Sequence, residues 1–443
     1  MLLPAGVIAA VAAQLTASDP GPVAGTRVAA VPVEVAPLDL VRAGAAMFGS
    51  ARYLRRPDGA AVAGLGTAAR VTAAGVERFG TLDRLLAELP DHPDVVTMLG
   101  FSFAADGPRA PEWDGFPAAE AVIPAAAVVA DHSGARLVVA VPTGSDPGGF
   151  LATLRDLPDP GPPRVPGLGD HAVHALPSGS DWCRSVDEAV GAIGDGALAK
   201  VVLARAALVT TEMTIDPFET VHHLAGNNPH TYCYGWQVGG TAFVGASPEM
   251  LVGKRGDAVV SHPHAGSAPR GDGDEEDRAV GAALMASAKD REEHGVVVDD
   301  IAARLSEVTI DLAVPASPSL VVTSTVQHLS THVSGTLRPG VSLLDLVGRL
   351  HPTPAVGGVP RAEAIGFIDK LEAIDRGWYA GGIGWIDGAG DGEVAIALRC
   401  GLLNGLEARL YAGNGIVADS DPERELVETR WKLRPLLDLL TAT

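Results

Sequence analysis

Asn404-Gly405 joins two long apolar runs, Glu393–Leu403 and Leu406–Val417, near the end of the 443-residue chain. Asn-Gly accepts the positive φ values of the tightest hairpin turn, so the two runs are predicted to pair as antiparallel neighbours. A third run, Gly381–Ile386, precedes them across turn residues Asp387–Gly392, which extends the expectation to an antiparallel meander. A further hairpin is expected where Gly239-Gly240 separates Thr231–Val238 from Thr241–Ala246, and Lys200–Thr211 reads as another strand. Ser185–Ile193 reads as a short helix, and one long helix is expected from about Glu275 to Leu305. Hairpins interrupted by long helices predict an α+β fold with large antiparallel β-sheets.

The first 156 residues are less regular. Val95–Phe103, Ala121–Asp131 and Ala135–Pro142 are strand-like runs bounded by Gly, Pro and Asp. A Pro/Gly-rich connector over 157–170, centred on Leu157–Gly167, cannot be regular helix or central strand and separates this part from the rest. Met1–Gln14 is apolar but has no basic residue before it, and the Pro/Gly-containing chain after it offers no convincing cleavage site. It is read as core-facing chain and not a secretion signal.

The formal net charge is −21, which argues against nucleic acid and anionic membranes as partners, since both need clustered Lys and Arg. An anionic substrate must then be drawn in by local cations or a metal. No apolar run reaches the ~18 residues that would span a bilayer. Cys183, Cys233 and Cys400 form no CxxC pair, so a reducing, cytoplasmic compartment is expected.

Chemistry concentrates in a few places. In Ser420-Asp421-Pro422-Glu423 a capping residue precedes a proline suited to the first helical position. Glu425, Glu428 and Lys432 then fall three and four residues apart on one helix face, after the glycine loop expected at Tyr411–Val417. Free N–H groups at such a loop and helix start can hold an anion, and carboxylates beside an anion call for a bridging divalent cation. The plain alternative is a solvated helix start with internal ion pairs.

On the long helix, Asp290, Glu293 and His294 share a face and Glu292 points away. Gly245-Ala246-Ser247-Pro248-Glu249 places a glutamate at a strand end, and Lys200 opens an apolar strand. That lysine either snorkels to water or, desolvated, serves as a base. His262-Pro263-His264-Ala265-Gly266-Ser267 is a small-residue segment that lets backbone approach a ligand, and His351-Pro352-Thr353-Pro354 is a rigid loop.

Taken in order with Ile396-Ala-Leu-Arg399-Cys400 and Gly413-Asn-Gly415, these motifs resemble the chorismate-utilising enzymes, and most closely isochorismate synthases of menaquinone and siderophore pathways. The resemblance is strong over 180–443 and looser over 1–156, where Phe101-Ser102-Phe103 and Trp113–Pro117 carry it. It implies one unit over 1–443, with the antiparallel sheets packed as a central sandwich and the helices outside. It implies chorismate as substrate, Mg²⁺ as cofactor, and a monomer without a glutamine amidotransferase subunit.

It also assigns roles. Lys200 would be the base that activates water and Glu249 the acid that protonates the departing C4 hydroxyl. Glu293 and Glu428 would hold Mg²⁺, with Glu425 an additional or water-mediated ligand. Arg399 and Lys432 would hold substrate carboxylates, joined by the N–H groups of Gly413 and Gly415. Ala265, Gly266, Ser267 and His328 would line the ring pocket. Ala265 stands where some relatives place a covalent lysine, and Lys200 where anthranilate synthases have glutamine; no Leu-Leu-Glu-Ser segment occurs near the N-terminus. His264 replaces the apolar residue usual before Ala-Gly-Ser. The alternatives are salicylate synthase, which goes on to eliminate pyruvate, another member such as anthranilate synthase component I, or a protein that binds without turnover.

Overall fold

The computed structural model describes residues 1–17, 25–88, 92–164, 169–323 and 325–441. The chain after the N-terminal apolar stretch and the middle of the connector, residues 18–24 and 165–168, lie outside the described residues. Among the described residues, two large antiparallel sheets, of twelve and nine strands, and a small one of three make up the β structure.

The twelve-stranded sheet is built from both ends of the chain. Its middle is Ala61–Leu65, Ser50–Arg55, Tyr232–Val238, Thr241–Ser247, Cys400–Asn404, Glu407–Ile416 and Lys200–Thr211, in that spatial order. The nine-stranded sheet likewise sets Val96–Phe101 beside Gly382–Asp387. Strands from before and after the connector therefore share both sheets.

The facing sides of the two sheets meet over an aromatic core. Trp378 lies 5.3 Å from Trp236 and 6.4 Å from Phe243 of the larger sheet, ring to ring. On its other side a Cβ at Gly100 of the smaller sheet would sit 2.1 Å from the indole, so only glycine lets the sheets close on it. Burying a large apolar side chain of this kind contributes about 1.5–3 kcal/mol. The outer side of the larger sheet is covered by helices including Pro37–Phe48, Pro217–Asn227 and Pro422–Thr441, through Leu40, Phe218, Val221, Leu433 and Leu436. This is the sandwich with outer helices that the resemblance implied. The apolar start of the chain is the helix Ala5–Ala17, with Ile8, Val11 and Leu15 buried.

Two expected strands turn out to be broken where the chain passes from one sheet to the other. Ala121–Asp131 splits into Ala119–Ile123 in the smaller sheet and Ala126–Asp131 in the larger. Glu393–Leu403 splits into Gly392–Ile396 and Cys400–Asn404, so the three-run meander is divided between two sheets. The break is taken by Arg399 at φ 50. A third crossing runs from Thr241–Ser247 to Met250–Arg255 and carries Glu249. The latter two crossings lie side by side: Ala246 N–H donates to Arg399 O (3.2 Å) and Ile396 N–H to Glu249 O (3.1 Å). The seam between the sheets thus exposes an acid and a guanidinium together.

Candidate active site

Lys200, only 2% exposed, begins the strand Lys200–Thr211, and its Nζ donates to Glu293 Oε1 at 2.8 Å. Glu293 is brought there by a helix boundary that the sequence reading missed. The long helix is two, Asp274–Ala286 and Ala288–Ser306, divided at Ser287. Ser287 has ψ 116, and its Oγ accepts from Asp290 N at 3.2 Å, a serine N-cap. The second helix buries Val297, Val298, Ile301 and Leu305, which turns Asp290 and Glu293 toward the sheet seam. His294 is buried and bonds Thr331 Oγ1 at 2.7 Å, so it is a packing residue outside the cavity. Glu292 is exposed, as helix geometry required.

The stretch expected to be a glycine loop is strand: Gly413 and Gly415 belong to Glu407–Ile416, registered against Ala204 and Val202. Their contribution here is steric. A Cβ on Gly415 would lie 2.6 Å from Glu293 Oε1 and 2.7 Å from Lys200 Cε, so the lysine–glutamate pair occupies the space that glycine leaves.

Beyond the strand, the helix Pro422–Thr441 is capped by Asp421, whose Oδ1 accepts from Arg424 N at 2.9 Å; Ser420 Oγ instead accepts from Val417 N. The Glu425–Lys432 face turns inward, not to solvent, with Glu425 and Lys432 buried. Lys432 Nζ donates to Glu428 Oε1 (2.7 Å), Gly413 O (3.0 Å) and Asn414 Oδ1 (2.9 Å), which uses all three of its protons. Asn414 Nδ2 in turn donates to Glu425 Oε2 at 2.9 Å.

Glu249 is 3% exposed, and its carboxyl is held weakly: His264 N–H donates to its Oε1 at 3.4 Å. Burial pushes its carboxyl up to about 7, against the opposing pull of that N–H and of Arg399, Lys200 and Lys432. For Glu293 burial also acts upward, but the Lys200 ammonium, by charge and hydrogen bond, together with Lys432 and Lys289, outweighs it and the net shift is down. Burial, then Glu293 and Glu428, pushes Asp290 up; burial, then Glu428, does the same to Glu425.

Arg399 Nη2 donates to His328 Nε2 at 3.0 Å. A guanidinium only donates, so Nε2 is the acceptor nitrogen and Nδ1–H faces Ser267 Oγ at 2.8 Å. Burial, then Arg399, holds His328 well below its ordinary value, which keeps this neutral form. Gly266 has φ 74, and a Cβ there would come within 3.0 Å of Asp290 Cβ.

The thirteen residues assigned from the resemblance, from Lys200 to Lys432, all line one cavity of about 810 Å³ including its mouth. The sequence reading missed Tyr379, Lys289 and Asn414. Tyr379 lines the cavity and stacks on Tyr411 (centroids 5.5 Å, 13° between planes); nothing in its local sequence pattern marks it. Asn414 was flanked by the two glycines named, and its position opposite the carboxylate helix was the available signal.

The chain belongs to the chorismate binding enzyme family, whose pattern matches residues 24–441. Among its relatives, isochorismate synthase MenF of Bacillus subtilis (strain 168) is 37% identical over 348 residues, 77% of this chain and 74% of its own length. Isochorismate synthase DhbC of the same bacterium is 42% identical over 277 residues, 60% of this chain and 70% of its own length. The solved structure of MenF, the menaquinone-specific isochorismate synthase from Escherichia coli, matches with a TM-score of 0.85 over 98% of this chain and 99% of that one, at 26% identity.

Proposed function

We propose that the chain is an isochorismate synthase acting on chorismate, with a water oxygen added at C2 and the C4 hydroxyl lost. The observation that carries this reading is that Lys200, Glu249 and Arg399 line one cavity, on a chain whose relatives bear that name. Glu249, with its proton retained up to about pH 7, delivers it to the departing hydroxyl, which leaves as water. Lys200 first gives up a proton to solvent and then, as the neutral amine, takes one from the attacking water. Its Nζ now donates to Glu293, so productive binding has to draw Glu293 away and leave the amine free.

Mg²⁺ fits the donors that would draw it. Glu293, Glu425 and Glu428 offer only hard oxygens, and burial first, then neighbouring carboxylates, pushes Asp290 and Glu425 up. Among the described residues no three acidic, His or Cys side chains form a ready-made cage. That suits an ion which takes one or two carboxylates and completes its shell with water and substrate oxygens. When bound, Mg²⁺ supplies positive charge that holds and neutralises the ring carboxylate.

Arg399 offers its remaining donors to the second carboxylate, and its bond to His328 fixes the plane of the guanidinium. Lys432 is committed to Glu428, Gly413 and Asn414, so its first task is to hold the carboxylate helix on the strand; contact with substrate requires it to release one of them. Ala265 and Ser267 wall the ring. The product would serve menaquinone or siderophore synthesis in the cytoplasm, from a single chain.

The test is incubation with chorismate and Mg²⁺, with products resolved by chromatography. Isochorismate as the sole product is expected. Salicylate with pyruvate would instead place the chain among salicylate synthases, and no turnover would leave it a binding protein.

A further inference from the structure

Outside the cavity, three donor side chains stand in a row across neighbouring strands of the nine-stranded sheet. Met250 is registered opposite His262, and the pairing of Ser261 with Val333 carries His262 opposite His332. Directly opposed residues of antiparallel strands share a face. The two imidazole rings lie 4.4 Å apart at 68°, with Nε2 of His262 and Nδ1 of His332 in hydrogen-bonding contact. Met250 is unbranched, with a thioether that three rotatable bonds can re-aim. It lines the same surface cavity as His332.

His332 is exposed and Met250 and His262 are partly buried, so an ion in solution reaches them. Burial and the neighbouring ring both act against a proton on His262, which leaves its lone pair available. Two imidazole nitrogens in this contact share one proton, and an ion enters between them only when the rings move apart to metal–nitrogen bonds of about 2.0–2.1 Å. Among the described residues no third His, Cys, Asp or Glu converges on them, so the donor set is two nitrogens, and Met250 adds its sulfur by turning from its place beside Gly253.

We propose that His262 and His332 form a transition-metal site, with Met250 as the third donor and water completing the shell. Imidazole and thioether suit a borderline or soft ion such as Zn²⁺ or Cu²⁺ and not Mg²⁺, so this site is chemically separate from the carboxylate cluster. It joins the segment that follows Glu249 to the segment that leads to His264. A bound ion would therefore tie together the two strands that supply the acid and its N–H donor.

The test is a calorimetric Zn²⁺ titration of the whole chain with Mg²⁺ in excess, so that the carboxylates are occupied. One Zn²⁺ equivalent is expected in the unaltered protein. His332→Ala, a change at an exposed position, should weaken binding by at least about tenfold, as should His262→Ala. Met250→Leu should weaken it less. Uptake should fall as pH drops through the imidazole range, because the ligands must be unprotonated. Equal Zn²⁺ binding by the unaltered protein and both His→Ala variants would overturn the proposal. So would no uptake by the unaltered protein, which would show that the rings share a proton only.

Discussion

Glu293 and Glu249 line opposite walls of chemistry in one cavity, and their carboxyls are pushed in opposite directions. Burial acts upward on both. At Glu293 it loses to Lys200, whose Nζ is 2.8 Å away; at Glu249 it wins, and the group rises to about 7. Glu249 receives only a 3.4 Å backbone N–H, because Lys200 is committed to Glu293 and the Arg399 Nη2 to His328. The sign of a buried carboxyl's shift is therefore set by where the nearby cations spend their hydrogen bonds. One carboxyl of the cavity is pushed toward the charged form and the other toward the protonated form, which is what the proposed cation site and the proposed proton delivery each require.

The sharpest way to break this contrast is to remove each partner of the proton transfer. Lys200→Ala and Glu249→Gln should each lower kcat by about 10²–10⁴-fold, the usual cost of losing a positioned base or acid. Steady-state assay with chorismate and Mg²⁺ reads this directly. Lys200→Ala leaves Glu293 without its ion-pair partner, so near-UV circular dichroism should accompany the assay. An active Glu249→Gln enzyme would mean that the raised carboxyl has no part in the reaction.

A smaller effect separates the two walls by pH. As the proposed acid, Glu249 works only while protonated, so above about pH 7 its loss should pull the rate down against the rise that a base gives. The residual rate of Glu249→Gln should lack that descending limb. A limb that persists in the variant belongs to another group.

Much of this contrast was legible before the fold. Motif order places Lys200, Glu249, Glu293 and Glu428 together, and hairpin turns such as Asn404-Gly405 identify antiparallel strands correctly. What sequence pattern hid was where strands change sheet. Ala121–Asp131 and Glu393–Leu403 read as continuous because residues buried in either sheet are equally apolar; Pro124 hinted at the first break. Nothing announced the second, since the positive φ of Arg399 is imposed by its surroundings. Helical propensity likewise runs through Ser287, and only tertiary packing decides that its hydroxyl caps a new helix. The full commitment of Lys432 was invisible for the same reason: its acceptors include Gly413 and Asn414, eighteen or more residues away.

The raised carboxyl also has a cost in stability. Glu249 rises from an ordinary 4.5 to about 7 in the folded state. Between those values the folded chain holds a proton that the unfolded chain has lost, so stability falls as pH rises through the window. The stabilisation present below 4.5 is gone above 7, an upper bound of about 3.5 kcal/mol at 1.4 kcal/mol per unit. Glu249→Gln cannot ionise and escapes this loss. Urea unfolding at pH 8 should find it about 1–3 kcal/mol more stable than the unaltered protein, with the advantage shrinking toward pH 4.5. An advantage that does not change with pH would mean that burial is not what raises the group.

The smallest effect is expected on the charged wall. Glu428 pairs with Lys432 at 2.7 Å, but its side chain is 25% exposed and its charge adds to the burial that pushes Glu425 and Asp290 upward. Glu428→Gln gives up one partly solvated ion pair and relieves repulsion in the same step. An amide oxygen still accepts from Lys432, which also keeps Gly413 O and Asn414 Oδ1. The two changes oppose each other, so metal-free stability should shift by less than about 1 kcal/mol in either direction. Denaturant unfolding in chelator measures it, and Mg²⁺-dependent turnover of the same variant should be lost. A destabilisation above about 2 kcal/mol would show that Glu428 holds the helix in place, and the carboxylate wall would then owe its charge to folding and not to a cation.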